Sequence, residues 1–169
     1  MNWNDYFFDM AKHVATKSKD TTRVGCVIVG PDKEIRSTGW NGFARGVRDD
    51  LPERMTRPEK YDWTVHAESN AICNAARSGV SLKYCTAYLT HFPCSVCTGL
   101  LIQAGIECVA VDSGQTVGDF KNDISMQQLI EANVLVGYRG KEEIIYGPQP
   151  VTYQMIGVEG ELKMKGIQG

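Results

Sequence analysis

Trp3, Phe7, Met10, Ala11 and Val14 recur three and four positions apart, which places one apolar stripe on a helix over residues 3–19. Asn2 or Asn4 is suited to cap it. A polar connector, Ser18 to Arg23, follows. Arg23 to Val29 is then short, β-branched and almost continuously apolar, the pattern of a strand buried on both faces. Gly30-Pro31-Asp32-Lys33 supplies turn chemistry. Ile35 to Trp40 reads as a second strand, so the two strands form a hairpin.

Residues 41–64 break the pattern with a long polar connection that holds Arg45, Arg48, Arg54 and Arg57. Structureless segments of that length inside a compact domain tend to be functional. Beyond it the periodicity returns. An alanine-rich helix is predicted over His66–Arg77, stopped at Ser78-Gly79, then a strand over Lys83–Thr90. A helix over Cys94–Ala104 begins after Pro93 and stops at Gly105. A strand at Glu107–Val111, a loop at Ser113–Asn122, a helix at Asp123–Asn133 and a strand at Val134–Tyr138 complete the series. The order α-β-β-α-β-α-β-α-β predicts an α/β fold of three layers, a five-stranded mixed sheet with helices on both faces. Residues 1–139 read as a single domain and 140–169 as an extension of unassigned role, with one short strand at Glu143–Tyr146.

Composition narrows the class without naming a chemistry. The 169 residues are 43% hydrophobic and 22% charged, as in an ordinary globular protein. A net charge of −2 gives no general attraction for nucleic acid or an anionic membrane. No apolar run reaches the roughly 18 residues of a spanning helix. The first residues lack the basic-then-apolar pattern of a signal peptide, so a cytoplasmic protein is expected. Its six cysteines are then expected to be reduced thiols, with Cys94 and Cys97 on a metal.

The chemistry lies in two short stretches. His66-Ala67-Glu68 and Pro93-Cys94-Ser95-Val96-Cys97 spell H-x-E … P-C-x-x-C. One imidazole and two thiolates give three ligands for zinc and leave a position open, the catalytic pattern, since structural sites close with four protein ligands. The spacing of Cys94 and Cys97 turns both thiols one way on a helix. A lone C-x-x-C would equally suit a redox pair or half a zinc ribbon. A redox pair leaves His66 and Glu68 unexplained, and a ribbon needs a second C-x-x-C, which the chain lacks. The signature is that of zinc nucleobase deaminases. In that reading zinc activates water, Glu68 carries protons from the water to the ring and to the departing amine, and free N–H groups at the helix start receive a substrate carbonyl. Lys19 and Arg23, by charge alone, are placed to meet a phosphate, and arginine forks in the 41–64 segment suit the same anion. His13 reads as an ordinary surface or half-buried histidine.

With these motifs and their flanks the chain resembles the deoxycytidylate (dCMP) deaminases over about residues 5–137. The matching pieces are Ser18-Lys19-Asp20, Val24-Gly25, Gly39-Trp40-Asn41-Gly42, Asp49-Asp50-Leu51-Pro52, His66 to Ile72, Phe92 to Cys97 and Leu101 to Ile106. The resemblance implies His66, Cys94 and Cys97 as zinc ligands and Glu68 as the proton shuttle. It implies Asn41 on the sugar and the Ala67 backbone on the pyrimidine carbonyl. It also implies deamination of dCMP to dUMP for thymidylate synthesis, a homohexamer, activation by dCTP and inhibition by dTTP, with Mg2+ accompanying a triphosphate effector. With only His13 and His91 left over, a second zinc site is not expected. One departure touches the phosphate: the loop from Ser113 to Phe120 lacks the tyrosine that family members often place there.

Neighbouring activities fit less well. Cytidine deaminases usually carry cysteine at the position of His66, and riboflavin-pathway deaminases space their cysteines more widely. A tRNA adenosine deaminase shares both motifs but calls for a basic surface, for which only the arginines of the 41–64 segment are available. A zinc-stabilised binding module would leave Glu68 and the open metal position idle. A dCTP or dual dCMP/dCTP deaminase stays open, because nothing in the motifs counts phosphates.

Overall fold

The structure is a computed structural model that describes residues 1–112, 123–140, 144–146 and 149–151. Helix α1 (Trp3–Ala15) is capped by Asn2, whose side chain accepts from the Asp5 N–H at 2.7 Å. It ends four residues before the sequence pattern suggests. Thr16 turns its hydroxyl onto the His13 carbonyl, and Ser18 leaves the helix to bond the Asn41 carbonyl. The buried face is Phe7, Phe8, Ala11 and Ala15, while Trp3 stays largely exposed, so the stripe is rotated from the one the spacing suggests.

Strands β1 (Gly25–Val29) and β2 (Ile35–Trp40) form the antiparallel hairpin. The 41–64 segment is not structureless. It contains a short strand β3 (Gly42–Phe43), a 3-10 turn (Pro52–Met55), helix α2 (Lys60–Trp63) and strand β4 (Thr64–Val65), and β3 pairs with β4 to close it at its base. Phe43 stacks on Trp63 with ring centres 6.2 Å apart, and Arg54 lies 4.0 Å over Trp63. These aromatic contacts were hidden behind the polar residues of the stretch.

Next come α3 (Ala67–Ser78), β5 (Thr86–Leu89), α4 (Ser95–Gln103), β6 (Cys108–Val111), α5 (Asp123–Glu131) and β7 (Leu135–Tyr138), then the short strands β8 (Ile144–Tyr146) and β9 (Gln149–Val151). β5 starts later than the sequence suggests, because Tyr84 sits at φ 66° with its N–H on the Gly105 carbonyl. The sheet order is β2-β1-β5-β6-β7-β8-β9. β5, β6 and β7 run parallel and the other neighbours are antiparallel. The five expected strands form the body of this mixed sheet, and β8 and β9 extend one edge. Among the described residues no helix is long and apolar enough to cross a membrane.

Side chains alternate between the two faces of β1. Val27 and Val29 pack under α1 with Phe7, Phe8 and Tyr88. Cys26 and Ile28 face the other way, against Ala71 of α3, Leu101 of α4 and Leu129 of α5. Helices therefore cover both faces, giving the three layers read from the sequence. α3 lies very close to β2, since a Cβ on Gly39 would collide with the Ala67 carbonyl and the Ala71 backbone. Because α3 begins at the candidate site, this contact fixes the height of the site over the sheet. Gly39→Ala is expected to lower stability by about 1–3 kcal/mol, the cost of overpacking a rigid contact. A melting curve checks it, with zinc content falling in step because α3 must shift; an unchanged melting temperature would contradict the contact.

Candidate active site

Two helix starts converge on one point. His66 is the N-cap residue of α3 and Cys94 that of α4, both in extended backbone, and Cys97 lies in the first turn of α4. Cap positions let a side chain curl over the helix end. The His66 Nδ1, Cys94 Sγ and Cys97 Sγ atoms all lie within 4.8 Å of one another. His66 Nδ1 is 3.5 Å from Cys94 Sγ and 3.4 Å from Cys97 Sγ. Ligands around a tetrahedral zinc with ordinary Zn–S and Zn–N bonds stand about 3.5 Å apart, so the donor set fits that ion in both chemistry and spacing. All six cysteines are unpaired, as a reduced protein requires.

Electrostatics favour a thiolate at Cys94. The Cys94 thiol is pulled down to about 3 by hydrogen bonds from Cys97 and His66. Cys97, holding the shared proton, moves up. His66 is raised by its bond to Cys94, against the effect of burial. Positive helix ends add to the stabilisation of thiolate. The Ser69 hydroxyl lies 3.6 Å from Cys97 Sγ, a contact that the sequence reading did not single out.

Glu68, in the first turn of α3, is 3% exposed and borders the triad. Burial raises its carboxyl above the usual range, with Cys94 adding to the rise, against hydrogen bonds from its own backbone and Cys97 and the charge of His66. A carboxyl so placed holds a proton more firmly than an exposed one does. Ala67, fully buried, is the first residue of α3, so its N–H has no intrahelical acceptor.

The family model for the cytidine and deoxycytidylate deaminase zinc-binding region matches residues 1–113, two thirds of the chain and both motifs. The chain belongs to this family. It is 40% identical to the deoxycytidylate deaminases of Mus musculus and Homo sapiens over 113 residues, covering 63% of this chain and 62% of each relative. Thus the chain spans about three fifths of the length of these curated relatives. ComE operon protein 2 of Bacillus subtilis is 33% identical over 148 residues, covering 86% of this chain and 75% of that protein. Among solved structures, the dCMP deaminase of cyanophage S-TIM5 in complex with dCMP and dUMP aligns with a TM-score of 0.65 and 25% identity. That alignment covers 79% of this chain and 94% of the phage chain.

In this zinc-binding deaminase fold the remaining sequence candidates separate. Asn41 is buried, and its amide spans the 18–24 connector: Oδ1 accepts from the Val24 N–H and Nδ2 donates to the Thr22 carbonyl, both at 2.8 Å. Lys19 pairs with Asp49 at 2.8 Å and lines a cleft of about 640 Å3 between the 41–64 segment and the outer face of α3. Arg23 instead lines a second cavity of about 360 Å3, with Lys12, Thr90, His91 and Asp112. Lys19 and Arg23 thus face different spaces.

The loop arginines are mostly engaged within their own segment. Arg48 forks onto Asp50, Arg54 stacks on Trp63 and Arg57 stands over Tyr61. Arg45 lines the larger cleft. His91 was passed over in the sequence except as a spare metal ligand. Its Nδ1 is 3.0 Å from Thr90 Oγ1, and burial lowers its basicity. Its place directly before Phe92-Pro93-Cys94 was the available signal. The tyrosine-free loop at 113–122 lies outside the described residues.

The donor set predicts one zinc per chain, with metal analysis of Cys97→Ala returning close to none. Protons compete for His66 and Cys97, both of which hold them more firmly than usual, so zinc affinity is expected to rise as pH rises. A competition titration against a chelator measures this, and affinity independent of pH would contradict it.

Proposed function

We propose that this protein hydrolyses dCMP to dUMP and ammonia. The observation that carries the reading is the His66–Cys94–Cys97 cluster with the buried Glu68 carboxyl beside it. The deoxycytidylate deaminases among its relatives and the phage enzyme holding dCMP and dUMP support the choice of substrate. His66, Cys94 and Cys97 would hold the metal, and zinc when bound supplies the Lewis acidity that activates water.

The protein's own residues do the rest. Glu68 takes the proton of the attacking water, whose oxygen forms the new bond to the amine-bearing ring carbon. It passes that proton to the ring nitrogen, then takes the second proton from the new hydroxyl and gives it to the amine, which leaves as ammonia while the carbonyl forms. The Ala67 N–H receives the pyrimidine carbonyl and fixes the ring's orientation. Arg23, with Lys12 and His91 in the second cavity, meets the 5′-phosphate. Asn41 acts on the sugar side by holding the connector, since both ends of its amide are engaged there. Lys19 faces the larger cleft, beside Lys17, Arg45 and Arg77. That basic cleft suits a triphosphate effector, dCTP as activator or dTTP as inhibitor, with Mg2+ on its phosphates. Val96 and Leu100 are 70% and 40% exposed on the outer side of α4, which favours a homo-oligomer, a hexamer in our reading. A cytoplasmic location, a 1–139 catalytic domain and a separate role for 140–169 belong to the same proposal.

Glu68→Gln is expected to keep zinc and lose turnover by about 10²–10⁴-fold. Substantial activity in a metal-replete variant would remove Glu68 from proton transfer. Ammonia release from dCMP, dCTP, deoxycytidine and a tRNA, each with and without added dCTP or dTTP, tests the substrate. We expect dCMP to be turned over best. Preference for dCTP would favour the triphosphate or dual-specificity reading, and turnover of tRNA but not dCMP would overturn the proposal.

A further inference from the structure

Lys60 is an unusual residue to find buried, and it lines neither cavity. Its Nζ lies 2.9 and 3.1 Å from the two carboxylate oxygens of Asp20, with side chains 10% and 11% exposed. A buried pair of this kind is a weak source of net stability, because desolvation offsets most of the attraction. What it does set is geometry. Asp20 Oδ1 accepts from the Thr22 N–H at 2.9 Å, and the Asp20 N–H donates to Ser18 Oγ at 3.2 Å. Ser18 Oγ in turn donates to the Asn41 carbonyl, while Asn41 grips Thr22 and Val24 on either side of Arg23. Lys60 belongs to α2, at the far end of the 41–64 segment, so the connector is held from both ends of that segment.

The connector is also the partition between the two cavities. Lys17, Lys19 and Asp20 line the larger, and Thr16 and Arg23 line the smaller. Arg23 can face the smaller cavity only while the intervening turn keeps its shape, and that turn is built on the Asp20 carboxylate.

We infer that the Lys60–Asp20 ion pair is a positioning device that aims Arg23 at the substrate's 5′-phosphate. The inference rests on the reading of the smaller cavity as the phosphate site. Lys60 touches no substrate; it acts through Asp20 and the Thr22 N–H. Losing the pair leaves the metal ligands and Glu68 in place and costs the protein its advantage for the phosphorylated substrate.

The test is steady-state kinetics of the zinc-loaded protein on dCMP and deoxycytidine. Variants are Arg23→Gln, the double variant Asp20→Asn/Lys60→Met, which leaves no unpaired buried charge, and all three changes together. The double variant is expected to raise KM for dCMP about 10- to 100-fold, the worth of one charge-assisted bond, with much smaller changes in kcat and in KM for deoxycytidine. Arg23→Gln should do the same, and the triple variant should add little, because both act on one contact. If Arg23→Gln weakens dCMP selectively and the double variant does not, the positioning role falls while the phosphate reading stands. If Arg23→Gln leaves the preference for dCMP intact, the phosphate reading falls and the inference with it. Equal losses on both substrates, tracking a lower melting temperature, would mark the pair as structural and overturn the inference. Should the double variant fail to fold, Lys60→Gln keeps most of the volume without the charge. A selective rise in KM for dCMP then supports the inference, and none overturns it.

Discussion

Everything in the site depends on two helix starts being held over the same end of one sheet. α3 delivers His66, Ala67 and Glu68 within three residues, and α4 delivers Cys94 and Cys97 within four. Neither helix could bring its ligands to the other without the sheet beneath. Gly39 lets α3 settle backbone against backbone on β2, and Leu101 anchors α4 in the same core layer as Ala71 and Ala75. Packing of this density transmits small displacements, so an error of a few tenths of an ångström under α3 reappears at His66.

The same convergence explains how Glu68 tolerates burial. A carboxylate out of water is costly unless hydrogen-bonded or neutralised. Here it lies beside an imidazole, a thiol and its own helix-end N–H, which favour the charged form, while desolvation and the Cys94 thiolate favour the neutral one. Desolvation is the largest of these influences and holds the carboxyl above its ordinary range.

Much of this was legible in the chain. That His66, Cys94, Cys97 and Glu68 would stand at helix starts could be read because motif spacing is a local property, and local properties survive folding unchanged. The five strands were legible for the same reason: β1 and β6 are too continuously apolar to be anything but buried. The 41–64 segment was not. Its order comes from Phe43 meeting Trp63, Lys60 meeting Asp20 and β3 meeting β4, contacts between residues about 20 to 40 positions apart that leave no periodicity. The arginines misled for a related reason. Charge in a sequence shows what can bind an anion, whereas Arg48 and Arg54 had already found partners within the segment. Early termination of α1 was likewise set from outside, by Ser18 reaching the Asn41 carbonyl.

Asn41 shows why a motif residue and its role need separate arguments. As part of Gly-Trp-Asn-Gly it looks like a residue that touches ligand. In the fold, its carbonyl, its amide oxygen and its amide nitrogen all go to the connector that carries Lys19, Asp20 and Arg23. Unmaking those bonds would take a partner from the Thr22 carbonyl and the half-buried Val24 N–H, on either side of Arg23. Asn41 thereby ties the connector to the end of β2 at residues on both sides of Arg23, so its effect on Arg23 runs through the backbone.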